Sequence, residues 1–543
     1  MTPNRNTTRV AACVTTRGFT HGFTHGFTRG FTRGFTRGFT RQLAPLIAAI
    51  FALGMAAPEA RAQIICEEGF AGIYPCENVI LQATLTPEQL GGAPGRRIND
   101  MWGWTDPETG HEIAIVGRQD GTAFVDVTVP SAPVYLGNLP TQTNPSVWRD
   151  MKVYADHAYI VADGAGSHGM QVFDLTQLRG VTTPDTLSAV TVYDEIGSSH
   201  NIAINEETGF AYAVGVNSSG TTCGGGLHMI DLSEPTAPVF AGCFADTATG
   251  RALTGYTHDV QCVIYHGPDY DYLGKEICIG SNETAISVAD VTDKGNPIMI
   301  TNATYPGAEY IHQGWLGDDH RYFYQDDELD EYRGDTTTTT YIWDVMDLDD
   351  PQLVATHDHG TNNIDHNLYV RGSLLYQAHY VSGLRISDIS NPTSIVEVGY
   401  LDTMPALDGN TSFDGAWSVY PFFESGTILV SSSNGLFIVT PTGLSIGRDD
   451  SPAIPTSGAS LTVRPNPLGS TGAIELRLPV AASLRVSVYD LLGREVRVLA
   501  NEQFAADVVH TFALDRGGLP AGTYFVAARG GDVSVAAKFV VVD

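Results

Sequence analysis

Seven residues with side chains suited to chemistry recur at near-constant spacing, each just ahead of a short apolar run. They are Asp100, Asp150, His200, His258, His312, His366 and Asp414, separated by 50, 50, 58, 54, 54 and 48 residues. Four imidazoles suit zinc or another transition metal. On that reading His200, His258, His312 and His366 are the ligands, with Asp259, Gln313, Asp365 and Asn367 beside them to fix the ring tautomers. Carboxylates and carboxamides suit calcium, which takes about six to eight oxygens. That set is Asp100, Asp150, Asp414, Asn282 and Glu283. A divalent metal of either kind would activate water for hydrolysis of an ester, a lactone or a phosphate. Two further readings need no chemistry. The residues line a mouth that binds a ligand, or they cap turns and bond the neighbouring backbone, as Asp and Asn do at the heads of strands.

For any of these readings the seven positions must meet, and the elements between them show how. A period near fifty residues, built from strands and turns, marks a β-propeller, whose repeats surround one axis. Each unit holds a second strand, such as HAYIV or LLYQA, and a third that ends in Asp126, Asp174, Asp231, Asp290, Asp344 or Asp388. These Asp residues precede Thr, Ser or Pro and are expected to cap turns. A fourth strand closes most units. The seventh has Thr440 in place of Asp and lacks a fourth strand, which Asn78–Thr86 (NVILQATLT) is expected to supply. The predicted fold is all-β: a seven-bladed propeller of four-stranded blades, then a small C-terminal sandwich. The loop after each second strand returns to the face where the inner strands begin. It brings Gln119, Asp120, Asp163, His168, Asn217, Asn282, Glu283, Gln325 to Glu328, His379 and Asn434 to the same rim. A concave mouth lined by convergent polar groups is the expected binding site of such a fold.

Composition narrows the partners. The 543 residues carry a formal charge of −31, which excludes nucleic acid. Leu43 to Ala57 is an apolar stretch after Arg41, followed by Ala60-Arg61-Ala62, the pattern of a signal peptide with cleavage before Gln63. It is too short for a membrane span, so the mature chain is expected to have none. Upstream, a Gly-Phe-Thr-Arg/His repeat (18–41) has no hydrophobic periodicity and reads as a start codon placed too early. Six cysteines follow the signal, an even number in an exported chain. Fifteen pairings are open to them; proximity favours Cys66–Cys76, Cys223–Cys243 and Cys262–Cys278. No CxxC, GxSxG or phosphate-binding loop occurs in a fitting context.

Segments such as LHMIDLSEPTAPVFAG and LRISDISNPTSIVEVG resemble the LVIVD repeat. The span from Cys66 to Pro441 resembles the exported choice-of-anchor B proteins, a likeness that brings no enzymatic activity with it. The tail carries Pro465-Asn466-Pro467, YDLLGREV (489–496), LPAGTY (519–524) and a closing KFVV (538–541). In that order these resemble a type A sorting domain of the type IX secretion system. The resemblance implies the type IX machinery as a partner, and a secreted or outer-surface location in a Gram-negative bacterium. The expected layout is leader and signal over 1–62, propeller over 63–445, linker over 446–458 and sorting sandwich over 459–543. The expected role is binding of an unidentified extracellular ligand; the alternative is a metal-dependent hydrolase acting at the mouth.

Overall fold

The computed structural model describes residues 63–444, apart from 334 and 335, and 460–542, apart from 479, 480, 491–494, 507, 531 and 532. The leader, the signal segment and the linker of the sequence reading lie outside these residues.

Strand-forming runs bounded by turn residues fold into successive antiparallel sheets. Seven sheets among the described residues begin at an inner strand: Ile98–Thr105, Arg149–Tyr154, Asn201–Asn205, Asp259–Ile264, Ile311–Leu316, Leu368–Arg371 and Ala416–Tyr420. In the first six, each next strand outward follows in the chain, ending in a fourth such as Val239–Phe244 or Ile298–Ala303. Neighbouring inner strands lie side by side in chain order, and Ala416–Tyr420 lies against Ile98–Thr105. The architecture is a β-propeller. Because sheet faces pack on sheet faces, second strands such as Glu112–Arg118 and Leu374–His379 are buried throughout. Outer strands such as Gln352–Asp358 alternate between exposed and half-buried positions.

The last sheet takes its outer strand from the other end of the body. Val79–Leu85 pairs antiparallel with Gly435–Pro441. Just ahead of it, Tyr74–Glu77 pairs with Val396–Leu401 of the preceding sheet. One short N-terminal segment therefore binds two adjacent blades, and the Cys66–Cys76 disulfide ties it to itself. Cys223–Cys243 ties the turn Cys223–Gly225, just ahead of the third strand of one blade, to its fourth strand, and Cys262–Cys278 joins the first and second strands of the next.

Two repeated devices shape each blade. Asp126, Asp174, Asp231, Asp290, Asp344 and Asp388 each accept a hydrogen bond from the backbone N–H two residues on, at 2.7–3.0 Å. This is the Asx turn, which starts the loop to the fourth strand. The register then slips by one residue between third and fourth strands in all but the second blade. Such a bulge adds twist to the outer edge.

The tail forms a three-stranded and a four-stranded antiparallel sheet around one apolar core that includes Leu461, Ile474, Val486, Val526 and Phe539. No helix among the described residues is long and apolar enough to cross a membrane.

Candidate functional site

His200, His258, His312 and His366 stand ahead of or on four consecutive inner strands, and their rings form an arc. Successive centroids are 4.3, 4.2 and 4.4 Å apart. His258, His312 and His366 are buried, at 4, 1 and 5% exposure. Burial pushes His258 and His312 well below the ordinary imidazole range, and the adjoining imidazoles push the same way. Burial likewise takes His366 down to about 3. These rings are therefore neutral at physiological pH, with a lone pair on one nitrogen each.

The hydrogen bonds say which nitrogen that is. His258 Nδ1 lies 3.1 Å from the His312 carbonyl, and His366 Nδ1 lies 2.5 Å from the Trp417 carbonyl. A carbonyl only accepts, so both Nδ1 atoms carry the proton and both Nε2 atoms carry the lone pair. His312 and His366 present Nε2 to opposite oxygens of the Glu328 carboxyl, each at 3.9 Å. That is too long for a hydrogen bond. It approaches the spacing of two ligands that share one ion at about 2.0–2.2 Å. One ligand atom from each of these three residues lies within 4.8 Å of the others. Burial raises the Glu328 carboxyl to about 7, opposed by a 2.8 Å hydrogen bond from the Tyr380 hydroxyl. Asp326, 3.3 Å from His312 Nδ1, stands where a carboxylate orients a metal-bound imidazole. His200 Nδ1 pairs with Asp163 at 3.1 Å, and Asp163 takes a further bond from Asn217.

The three aspartates of the sequence pattern do not join this arc. Pairing with the second strands sets Asp150 opposite Val161, Asn201 opposite Val214 and Asp259 opposite Ser281. Asp150 thus matches Asn201 and Asp259, one residue beyond the histidines, and the position that matches His200 is Arg149. Asp100 is displaced in the same way. In the last blade Ser418 lies opposite Ser431, so Trp417 takes the histidine position, not Asp414. A one-residue shift turns a strand side chain to the other face, so the register decides which groups meet.

Asp100 and Asp150, both buried, and the half-buried Asp259 form a separate group around Lys152. Lys152 Nζ is 2.8 Å from Asp150 and lies 4.6 Å above the Trp102 ring. Burial lifts Asp100 to about 7 and Asp259 to about 8 against the pull of the lysine. Asp150 accepts from Met151 N–H and, across the blade boundary, from Ile202 N–H. Gln261 and Gln313 do the same for Leu316 and Leu368 N–H, and Asn367 donates to Asp100. These residues hold neighbouring blades together. Trp102, Trp315, Tyr369, Tyr420 and Phe422 pack edge to face or tilted beside them.

The remaining oxygen ligands expected for calcium are occupied elsewhere. Asp414 pairs with Arg97. Asn282 donates to Thr249 and Ser287, and Glu283 accepts from Arg251 N–H. His379 is buried at 1% exposure and packs on His359, with centroids 4.7 Å apart. Glu328 was one of four consecutive polar rim residues in the sequence; Tyr380, the donor to it, carried no signal. Three aromatic side chains near the arc remain open to solvent: Trp148 (44%), Tyr332 (60%) and Phe413 (42%). Trp148 faces His200 at 6.4 Å, and Phe413 touches both Tyr332 and Tyr380 at 5.6 Å.

Comparison with known proteins agrees with the repeat and with the tail. Residues 197–246 and 366–403 match the LVIVD repeat, and residues 462–542 match the secretion system C-terminal sorting domain. No curated protein matches the chain. Among solved structures it is similar to PorZ, a surface component of the type IX secretion system of Porphyromonas gingivalis, at 13% identity and a TM-score of 0.40. That match covers 82% of this chain and 59% of PorZ, so the chain spans less than two thirds of that relative. A Lactobacillus plantarum protein matches at 10% identity over 77% of this chain and 99% of its own, with a TM-score of 0.40. The C-terminal WD40 domain of Sif2 matches at 11% identity over 68% and 92%, with a TM-score of 0.38. The chain is thus a β-propeller that carries LVIVD repeats and ends in a secretion-system sorting domain, the mark of a secreted or cell-surface protein.

Proposed function

We propose that this chain is a seven-bladed binding propeller of the choice-of-anchor B kind, with body 63–445 and sorting tail 459–543, and that its mouth uses a divalent transition metal to bind its ligand. His312, His366 and Glu328 hold the metal, with His258 and His200 completing the arc. The observation that carries this reading is the pair of Nε2 atoms facing one carboxyl while the other nitrogen of His366 is committed to a backbone carbonyl. Two neutral nitrogens and one carboxylate are the donor set of open zinc sites, which keep a position for water or ligand. The exposed rings of Trp148, Tyr332 and Phe413 give that ligand a surface to stack on.

Elemental analysis of the mature chain, dialysed without chelator, tests this directly. About one equivalent of zinc, copper, iron or manganese is expected, and a His312→Ala/His366→Ala chain that still folds should hold none. A metal-free wild type that takes up no added zinc or cobalt would remove the proposal. The hydrolase reading uses the same residues and is favoured by one fact: two imidazoles and one carboxyl converge on one point, the donor set that leaves a metal-bound water free to react. Metal-dependent turnover of ester or lactone substrates, lost in Glu328→Gln, would establish it.

A further inference from the structure

Outside the imidazole arc, at the seam between the fifth and sixth blades, lies a cavity of about 480 Å³. Its walls are polar and come from three stretches of chain. Asn363 lies on the connection that follows the outer strand Gln352–Asp358 of the fifth blade. Ser382, Arg385 and Tyr400 belong to the sixth blade: just ahead of its third strand Gly383–Asp388, on that strand, and on the fourth strand Val396–Leu401. Asp402 and Asp408 follow the fourth strand. Three of the six are buried: Asn363, Ser382 and Asp402 are 5, 1 and 3% exposed. The cavity shares no residue with the converging His312, His366 and Glu328.

Arg385 sets this seam apart. Three places ahead of the turn-capping aspartate the other blades carry Ala123, Gln171, His228, Ser287 and Tyr341, none of them a permanent cation. Strand register places Arg385 between Gln377 and Tyr400, and its guanidinium lies 4.7 Å above the Tyr400 ring. Its Nη1 is 3.4 Å from each oxygen of Glu397, a long contact. Its Nε is buried and has no acceptor among the described residues. A buried donor on a charged group is costly to leave unpaired, so the site calls for an acceptor. The other groups have bonds to give as well. Ser382 accepts from Asn363 Nδ2 and keeps its own O–H. Asp402 accepts from Met404 N–H at 2.7 Å. Burial, with the Asp408 carboxyl next to it, raises Asp402 to about 7, so at neutral pH it both donates and accepts.

The mixture of groups selects the ligand. An anion drawn to Arg385 would meet Asp402 and Asp408, and a cation drawn to those carboxyls would meet Arg385. A hydroxyl group serves both sides, because it donates and accepts at once. The volume lies within the range of small-molecule sites and has room for a mono- or disaccharide. We infer that this cavity is a second binding site, for a neutral, hydroxyl-rich ligand of the saccharide class. Arg385, Asp402, Asp408, Asn363 and Ser382 hold its hydroxyls, and no metal takes part. The site is separate from the mouth and does not rest on the function proposed above.

The test uses the mature chain from Gln63 with its tail. Glucose, galactose, mannose, N-acetylglucosamine, cellobiose and lactose are titrated at neutral pH with EDTA present, and binding is read by saturation-transfer NMR. At least one sugar should bind, with a Kd on the order of 10⁻³ M, the scale expected of so small a ligand. Arg385→Met/Asp408→Ala should weaken that binding about tenfold or more while the circular dichroism spectrum stays that of the wild type. If the double variant fails to fold, Asp408→Ala alone, at an exposed position, should still weaken it about threefold. A wild type that binds none of these sugars would overturn the proposal. So would sugar binding that is unchanged in the variants, or that appears only when EDTA is left out, which would put the ligand at the mouth. Binding of acetate or propylammonium in place of every sugar would also overturn it and make the cavity an ion site.

Discussion

At the scale of single residues the interior of the propeller depends on matched charge. Lys152 is the ammonium partner of Asp150 and lies near Asp100 and Asp259; Asp100 and Asp150 are buried, Lys152 and Asp259 half-buried. Lys152→Met leaves these carboxyls without their cation and should cost about 3–5 kcal/mol, the usual result of removing one partner of a buried pair. Urea denaturation at pH 7 checks this. The carboxyls also set a pH dependence. Asp259 titrates at about 8 and Asp100 at about 7, chiefly because burial disfavours their charged forms. A carboxyl whose pKa is raised by folding holds its proton more tightly in the native state. Its stabilisation is therefore complete below the unfolded value near 4 and is lost as pH rises through the folded value. The contribution of these two carboxyls to the stability of the metal-free protein should fall between roughly pH 4 and 8. Asp259→Asn should make that fall shallower by about one proton. Denaturation midpoints across this range in chelator would show it, and an unchanged slope would count against the assignment.

At the scale of elements, most of the blade was legible and the phase of its inner strand was not. The six aspartates that cap turns were readable because Asp at the end of an apolar strand, with Thr or Ser two places on in all but Asp344, leaves few alternatives. The three disulfides followed from closeness in sequence, and two of them lie within blades. Cys262 and Cys278 sit directly opposite in register. Serine at both should lower stability by about 3 kcal/mol, as expected for opening a loop with a sequence separation of 16. Thermal melting under oxidising conditions measures it. The inner strands misled because NDMWGW and RDMKVY carry their Asp one place late. Local pattern cannot reveal this; only pairing with the second strand fixes it. Glu328 was hidden for a related reason. In a run of polar residues, any member has the right chemistry, and the end of the strand decides which one turns toward the imidazoles.

At the scale of the whole molecule, the body and tail divide the work. The sorting domain at 462–542 addresses the chain to the secretion machinery. A chain ending at residue 458 should therefore accumulate inside the outer membrane, and immunoblots of medium, surface and periplasm would show the shift. The same tail fused to an unrelated folded reporter should carry it outward.

The propeller's closure sets an order in time. Val79–Leu85 is made early, and Gly435–Pro441, its partner, near the end of the body. Until both are present, the growing array has two uncovered sheet faces, whatever the number of blades already formed. The ring thus cannot seal while it is being synthesised or threaded through the first membrane. Its slowest contact is the one between its most distant parts, and chain-closure entropy opposes that contact throughout. Sealing records that the body has arrived whole: a truncated or stalled chain keeps two sheet faces uncovered, and proteases and chaperones meet it as an unfinished ring.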